Sequence, residues 1–475
     1  MIGRNLINGV WAPLDAHVVV RNPGDLKDAV GSIGFSSPQD VAAAVEAAQG
    51  AHPAWRDLGA VNRGNLLFRA AAVVEAHTEE LAQLATREMG KPIGEMRGEA
   101  QRAVAILRYY AGEGYRAVGE VIPAANPGTL QYTTREPLGV VGVITPWNFP
   151  LAIPVWKIAP ALIYGNTVVF KPAEWASLSA VRMVELLAPV FPKGVLNLVL
   201  GLGSEAGEAL IQHAGIDGIT FTGSAAVGAH VAEVATRRGI KYQTEMGGKN
   251  PVIVARDANL DWAVELVVSG AMRSAGQKCT ATSRVIVEEG VHAAFREKLV
   301  EAVLKLEVGN PLAAGTYVGP VVSKPQFEKI QGYIEAGIRE GAERVAGGAV
   351  LDLDGYYIPP TVFDRVEAQA TIAQEEIFGP VVAVIPVRDL DEAIQTANNI
   401  RYGLSASVFT GSLATALRCV REIEAGLVRV NEETAGVELQ APFGGVKASS
   451  SHSREQGRAA IEFFTHVKTI AVRGL

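Results

Sequence analysis

Cysteine is the scarcest residue in this chain: only Cys279 and Cys419 occur among 475 residues. Two thiols so far apart build no disulfide framework, which points to a reducing, cytoplasmic compartment. The eight histidines are scattered without metal-ligand spacing, so no structural zinc and no other metal is expected. Long apolar runs are missing too. The most apolar stretch of the first half, Leu151 to Tyr164, is broken by Pro154, Lys157 and Pro160, so no membrane span is expected. Met1 to Gly9 lacks the apolar core of a signal peptide. There is no basic excess: 43 Lys+Arg against 50 Asp+Glu give a net charge of −7, which argues against a nucleic-acid partner. The serine elbow G-x-S-x-G is absent and no histidine has a distinctive setting. Both absences weaken hydrolase readings based on serine or on a Cys–His pair.

Hydrophobic residues make up 48% and charged residues 20%. This ordinary globular mix excludes wholesale disorder, and the length predicts two or three domains. Ser37-Pro38-Gln39-Asp40 reads as a helix opening, followed by Val41, Ala44, Val45 and Ala48 at helical spacing. A further helix is predicted from Thr78 to Met89, stopped by Gly90. From about residue 139 the pattern changes. Short apolar runs recur at Val140–Ile144, Thr167–Phe170, Val195–Leu200, Ile219–Phe221 and Val252–Val254, with amphipathic segments between most of them. Unalternating strands joined by helices predict a parallel sheet covered on both faces. A second set follows Cys279, at Val285–Val287, Val381–Ile385, Ala406–Phe409 and Leu427–Val430. The fold class is therefore α/β, with two domains and a reactive centre at their junction. The strand-like Val467–Val472 lies outside this alternation.

Cys279 sits in Ser274-Ala275-Gly276-Gln277-Lys278-Cys279-Thr280, a polar, glycine-containing segment before a strand. A lone cysteine is by default buried and inert. Cys419, inside Ala416-Leu417-Arg418-Cys419-Val420, fits that description, whereas Cys279 does not. The run Val195–Leu200 leads into Gly201-Leu202-Gly203-Ser204-Glu205-Ala206-Gly207, a G-x-G-x-x-x-G turn that departs from the usual dinucleotide fingerprint. Gly223-Ser224 opens a helix through Gly228 and Val231, a setting equally suited to an ordinary N-cap and to a pyrophosphate.

Thr244-Glu245-Met246-Gly247-Gly248-Lys249-Asn250-Pro251, together with Gly276-Gln277-Lys278-Cys279, resembles the NAD(P)-dependent aldehyde dehydrogenase superfamily. Further matches are Pro146-Trp147-Asn148-Phe149-Pro150, Phe221-Thr222-Gly223-Ser224, Glu376-Ile377-Phe378-Gly379-Pro380 and Pro442-Phe443-Gly444-Gly445. The resemblance implies a Rossmann-like cofactor domain over 1–117 and 138–247 and an α/β catalytic domain over 248–446. It also implies a small β oligomerisation arm from 118–137 and 464–475, and a homodimer or homotetramer. Cys279 takes the nucleophile's place, Asn148 with the Cys279 N–H the oxyanion hole, and Glu245 the general base. Glu245 favours hydrolysis to the free acid, because relatives that pass the acyl group to coenzyme A generally lack it.

For the cofactor, NAD with NADP possible, the resemblance implies contacts from Thr145, Pro146, Trp147, Gly203, Gly207, Phe221, Thr222, Gly223, Ser224, Val227, Met246 and Gly247. Lys171 and Glu174 match groups near the adenosine ribose, where a carboxylate repels a 2′-phosphate. Glu376 matches a ligand of the nicotinamide ribose and Phe378 a neighbour of the nicotinamide. Lys157 is expected either to support the Asn148 region or to cap a helix.

On the substrate side, Tyr132–Gly139 through Trp156–Pro160, and Ser449–Ser451 with Arg454–Phe464, resemble the branch containing α-ketoglutarate semialdehyde (2,5-dioxopentanoate) dehydrogenases. Ala448 departs from that pattern's usual glycine. Arg273 is then a candidate anchor for a substrate carboxylate, or an outward-facing arginine in a salt bridge. The alternative is an aromatic (benzaldehyde- or vanillin-like) or broad aliphatic aldehyde in an apolar pocket lined by Phe149 and Trp156. A binding protein derived from the family, and a thiol-dependent esterase, are the competing classes.

Overall fold

The protein is described here from a computed structural model covering residues 1–14, 18–348 and 351–474. Residues 15–17 and 349–350, and position 475 at the end of the expected arm, lie outside the described residues.

Two seven-stranded sheets organise the chain. In the first, the spatial order is Lys241–Glu245, Gly218–Thr222, Val140–Ile144, Thr167–Lys171, Leu196–Leu198, Arg4–Ile7 and Val10–Pro13. The first five strands are parallel and the last two antiparallel. Val140–Ile144, Thr167–Lys171 and Gly218–Thr222 are buried at every residue. Helices cover both faces of such strands, so an alternating polar face would have no water to meet. The chain runs outward from Val140–Ile144 through Thr167–Lys171 to Leu196–Leu198, then returns to place Gly218–Thr222 on the other side. The strand order therefore reverses between Val140–Ile144 and Gly218–Thr222. Outside the carboxyl ends of strands at such a reversal, the flanking loops part and leave a crevice.

The second sheet runs Glu343–Ala346, Thr361–Asp364, Val381–Val387, Thr282–Glu288, Asn250–Val254, Ser405–Phe409 and Leu427–Val430. It is parallel except for its first strand. Each sheet has its own large apolar core. Glu245 ends a strand of the first sheet, and Asn250 begins one of the second. The short connection Met246–Lys249 therefore carries the chain from one layered unit to the next. A third, antiparallel sheet joins Val121–Ile122, Thr129–Pro137 and Thr465–Arg473. Residues 447–463, which the expected division assigns to no domain, return to the first unit: Ala460 and Phe463 pack in its core together with Phe464.

Local signals explain the helix boundaries. Ser37 caps the Pro38–Asp57 helix through a capping box, its hydroxyl accepting from Asp40 N–H while the Asp40 carboxylate accepts from Ser37 N–H at 2.8 Å. The Thr78–Met89 helix ends at Gly90 with φ +87°, a conformation glycine adopts without steric cost. Among the described residues no helix is long and apolar enough to cross a membrane.

Candidate active site

Cys279 stands just before the strand Thr282–Glu288, at the end facing the first sheet's Glu245. The turn leading to it is strained. Ser274, Ala275 and Gly276 all have positive φ, at 54°, 51° and 68°. For the two non-glycine residues this costs about 1–3 kcal/mol each, so the surroundings must over-determine it. Glu95 does so, accepting from Ser274 N–H at 2.9 Å and from its hydroxyl at 2.6 Å. Gln277 ties the turn to a neighbouring loop by accepting from Val322 N–H at 3.0 Å. A side chain at position 276 would collide with the Gly379 carbonyl, so this glycine is required by close approach as well as by φ. Asn250 Nδ2 donates to the Cys279 and Ala281 carbonyls, both at 2.8 Å, and fixes the far side of the loop.

The Cys279 side chain is half-buried. Burial, and after it the Glu376 and Glu245 carboxylates, pushes its thiol up to about 12, opposed by the N–H groups of Thr280 and Cys279 itself. The thiol is therefore protonated at neutral pH until something takes the proton or brings positive charge near it. Cys419, by contrast, is fully buried in the Leu413–Glu422 helix.

Asn148 lies beside this loop, its Nδ2 donating to the Gln277 carbonyl at 3.0 Å. The Asn148 carbonyl accepts from Lys91 Nζ at 2.7 Å, and Lys91 is paired with Glu99 at 2.6 Å. Glu99 in turn accepts from the Leu151 and Ala152 N–H groups. Both charges of this pair are buried. Deleting either one alone leaves the other uncompensated, a loss of about 3–5 kcal/mol. The support expected of Lys157 thus falls to Lys91. Lys157 itself sits inside the Ala152–Ile163 helix, not at a cap, and binds Glu455 and Thr220 Oγ1.

Glu245 is 1% exposed. Its Oε2 accepts from Ser450 Oγ at 2.5 Å, and its Oε1 has no partner among the described residues. Burial, and then the charge of Glu455, raises this carboxyl well above the ordinary range, while Ser450, Lys157 and Arg454 oppose the rise. Ser450 stands opposite Glu245 because the C-terminal segment forms a bridge there. Ser450, Lys91, Glu99 and Glu455 are members of this constellation that single motifs do not reveal. The serine run 449–451 was a visible signal for the first of them; the others look like ordinary charges on helices and loops.

Two adjoining cavities lead to this centre. One, of about 180 Å³, is lined by Asn148, Cys279, Met246, Gly247, Glu376 and Phe378, among others. The other, of about 540 Å³, lies at the strand-order reversal and reaches Lys171, Glu174, Gly203, Gly207, Phe221 and Val227, with Thr145 also on its wall. Pro146, Trp147, Thr222, Gly223 and Ser224 line both, so the two form one continuous groove. All sixteen residues expected to touch a cofactor border it. Gln326 and Lys329 line it too, from the Lys324–Arg339 helix, which no motif marked.

The groove suits a dinucleotide chemically. Ser224 caps the 14-residue Ala225–Arg238 helix, whose N-terminal residues Ala226 and Val227 face the cavity and whose positive end favours a phosphate. Lys171 is 2% exposed and has no hydrogen-bond acceptor among the described residues; burial pushes it down to about 8, with Glu174 opposing. A ribose or phosphate oxygen would satisfy that ammonium. Glu376 accepts from Gly248 N–H at 3.0 Å, and a Cβ at position 247 would collide with its carboxylate. Phe378, with φ 59°, packs edge-on to Trp147 at 5.5 Å.

The three expected substrate residues line neither cavity. Phe149 lies under Lys91 Nζ at 3.7 Å, and Trp156 is buried against Phe443 at 5.6 Å between centroids. Arg273 is exposed, over the Tyr317 ring at 5.6 Å.

Residues 11–470 match the model of the aldehyde dehydrogenase family. The chain is 52% identical over 476 residues to an alpha-ketoglutaric semialdehyde dehydrogenase of Bacillus subtilis, covering 99% of this chain and 98% of the relative. It is 43% identical to an alpha-ketoglutarate semialdehyde dehydrogenase of Haloferax volcanii, over 98% of both chains. Among solved structures, an NAD+ complex of an aldehyde dehydrogenase from Bacillus cereus superposes with a TM-score of 0.96 at 37% identity, covering 100% of this chain and 97% of the other.

Proposed function

The chain belongs to the aldehyde dehydrogenase family, and from that premise we propose that it uses NAD to oxidise a carboxylate-bearing semialdehyde of the α-ketoglutarate semialdehyde type to the free acid. The observation that carries the hydrolytic reading is a half-buried Cys279 with a buried, partly unsatisfied Glu245 close enough for its charge to act on the thiol. The substrate class rests on the two semialdehyde dehydrogenases to which the chain is similar.

In this reading the Cys279 sulfur adds to the aldehyde carbon and gives a thiohemiacetal. The oxygen that becomes negative is received by Asn148 Nδ2, held in place by Lys91, and by the Cys279 N–H. NAD, when bound, accepts the hydride released as the thiohemiacetal becomes a thioester. Ser224 and the helix it caps hold the pyrophosphate, Lys171 and Glu174 the adenosine ribose, and Glu376 the nicotinamide ribose. Glu245 Oε1, without a partner among the described residues, takes a proton from water, which attacks the thioester and releases the acid. The net change is aldehyde, NAD+ and water to acid, NADH and a proton.

We also read the third sheet as an oligomerisation arm of a homodimer or homotetramer. Thr465–Arg473 is largely exposed, and Val121, Leu130, Val467 and Val472 are all apolar and exposed on this sheet. A reactive thiol as half of the cysteine complement suits a cytoplasmic setting.

The test is NADH absorbance with 2,5-dioxopentanoate, pentanal and benzaldehyde, each with NAD and NADP. The semialdehyde is expected to lead by about 10–100-fold in kcat/KM, the worth of one charged anchor, with NAD preferred over NADP through Glu174. Equal or better turnover of pentanal or benzaldehyde would refute the substrate class and favour an apolar pocket around Trp156 and Phe443.

Ser450 gives a separate check on the base. Its hydroxyl stabilises the charged form of Glu245, so Ser450→Ala raises that pKa further. A base works ionised, and turnover falls as pH drops through its pKa. The acid limb of the kcat profile is therefore expected to move to higher pH by about one pH unit. An unmoved limb would separate Glu245 from the rate-determining proton transfer.

A further inference from the structure

Two buried side-chain donors, Gln456 Nε2 and Trp156 Nε1, have no acceptor among the described residues, and the half-buried Arg102 is hydrogen-bonded to Gln456. The Ile93–Glu113 helix turns Glu95 toward the strained Ser274 turn and Glu99 toward the Leu151 and Ala152 amides. Arg102 follows three residues after Glu99 and seven after Glu95, so it shares their face of the helix. It is half-buried and faces the C-terminal segment at Val437 and Gln456. Its only hydrogen bonds among the described residues come from Nη2, to the Val437 carbonyl and to Gln456 Oε1 at 3.2 Å. Among the described residues Nε and Nη1 have no acceptor, and no carboxylate pairs with this guanidinium. Burial depresses its basicity, with Glu438 and Glu99 partly compensating.

Gln456 is 1% exposed; its Oε1 is committed to Arg102, and its Nε2 has no partner among the described residues. Trp156 is also buried, and its Nε1 likewise has none. The same segment brings these groups together. Trp156 packs on Phe443, Phe443 and Glu455 exchange both backbone hydrogen bonds at 2.7 and 2.8 Å, and Gln456 comes next in the chain. Each buried donor left empty costs about 1–3 kcal/mol. An anion with several acceptor oxygens would satisfy both and pair with the Arg102 guanidinium beside them.

We propose that Arg102, with Gln456 and Trp156, recognises the carboxylate and adjoining keto oxygen at the end of the substrate remote from the aldehyde. This assignment rests on the semialdehyde reading given above and makes Arg102 the specificity-determining residue. Arg273 is less suited to the task. It is exposed, and a solvated guanidinium gains little from a carboxylate.

The experiment compares the parent enzyme with Arg102→Met, Arg102→Lys and Arg273→Met. The readout is the ratio of kcat/KM for 2,5-dioxopentanoate to that for pentanal, with thermal melting as the check of folding. Arg102→Met is expected to lower the ratio by about 100-fold, chiefly through the semialdehyde KM, and Arg102→Lys to recover part of it. An unchanged ratio in Arg102→Met, or a loss that follows Arg273→Met instead, overturns the assignment. If the parent itself fails to favour the semialdehyde, the functional reading falls, and the donor cluster is judged by competition with glutarate during pentanal oxidation. Glutarate inhibition that disappears in Arg102→Met upholds the cluster. Inhibition equal in both proteins, or absent from the parent, overturns it.

Discussion

Cys279→Ser is expected to lower steady-state aldehyde oxidation by roughly 10⁴-fold or more while the protein still folds. Serine is nearly isosteric, and the loop that presents it is held by groups other than the sulfur: Glu95 on Ser274, Val322 on Gln277, and Asn250 on the Cys279 carbonyl. Geometry and folding therefore survive, and what changes is the nucleophile. A thiol pushed up to about 12 by burial still ionises, and attacks as thiolate, more readily than an alcohol held in the same place. A buried alcohol ionises far less readily, and among the described residues no histidine lines the small cavity around Cys279 to assist it. The measurement is NADH formation under saturating aldehyde, beside a thermal melt to confirm folding. A rate within tenfold of the parent would remove Cys279 from the chemistry. The parent's rate of alkylation by a neutral thiol reagent is expected to rise with pH throughout the neutral range, because the reactive thiolate is the minor species there.

Much of the frame could be read from the residues themselves. Val140–Ile144 and Thr167–Phe170 announce buried parallel strands because every side chain in them is apolar or small. Ser37 and Gly90 mark helix ends through chemistry that acts within a few residues. The groove was legible for a different reason. Its residues cluster at strand ends and turns, where Gly203, Gly223 and Ser224 stand out from the strands around them. What stayed hidden are pairings between buried charges distant in sequence. Glu95, Glu99 and Arg102 look like a solvated helix face when only periodicity is available, yet that face is turned inward. Lys157 and Glu455 lie 298 residues apart and meet only because residues 447–463 fold back over the first unit. The positive φ of Ser274 and Ala275 is equally silent, since neither residue prefers that conformation and only the tertiary anchors impose it.

Glu245→Gln is expected to divide the reaction in two. Acylation does not require the carboxylate to activate water, so a single turnover of NADH should still appear on mixing with NAD and aldehyde. Hydrolysis of the thioester does require it, and steady-state turnover should fall by about 10³-fold, within the range that general bases contribute. The amide oxygen can keep the hydrogen bond from Ser450, so the loss is one of basicity more than of shape. The variant should also melt at a higher temperature than the parent near pH 8. Burial and Glu455 raise the Glu245 pKa in the folded protein above its unfolded value. Between those two values the folded state holds a proton that the unfolded state releases, so stability falls as pH rises through the window and stays lower above it. A glutamine carries no such penalty, and the difference in melting temperature should shrink as pH falls toward the unfolded carboxyl pKa. A stoichiometric burst with a higher melting temperature would identify Glu245 as a buried base kept at a cost in stability. Loss of the burst along with turnover would instead place its role before the thioester.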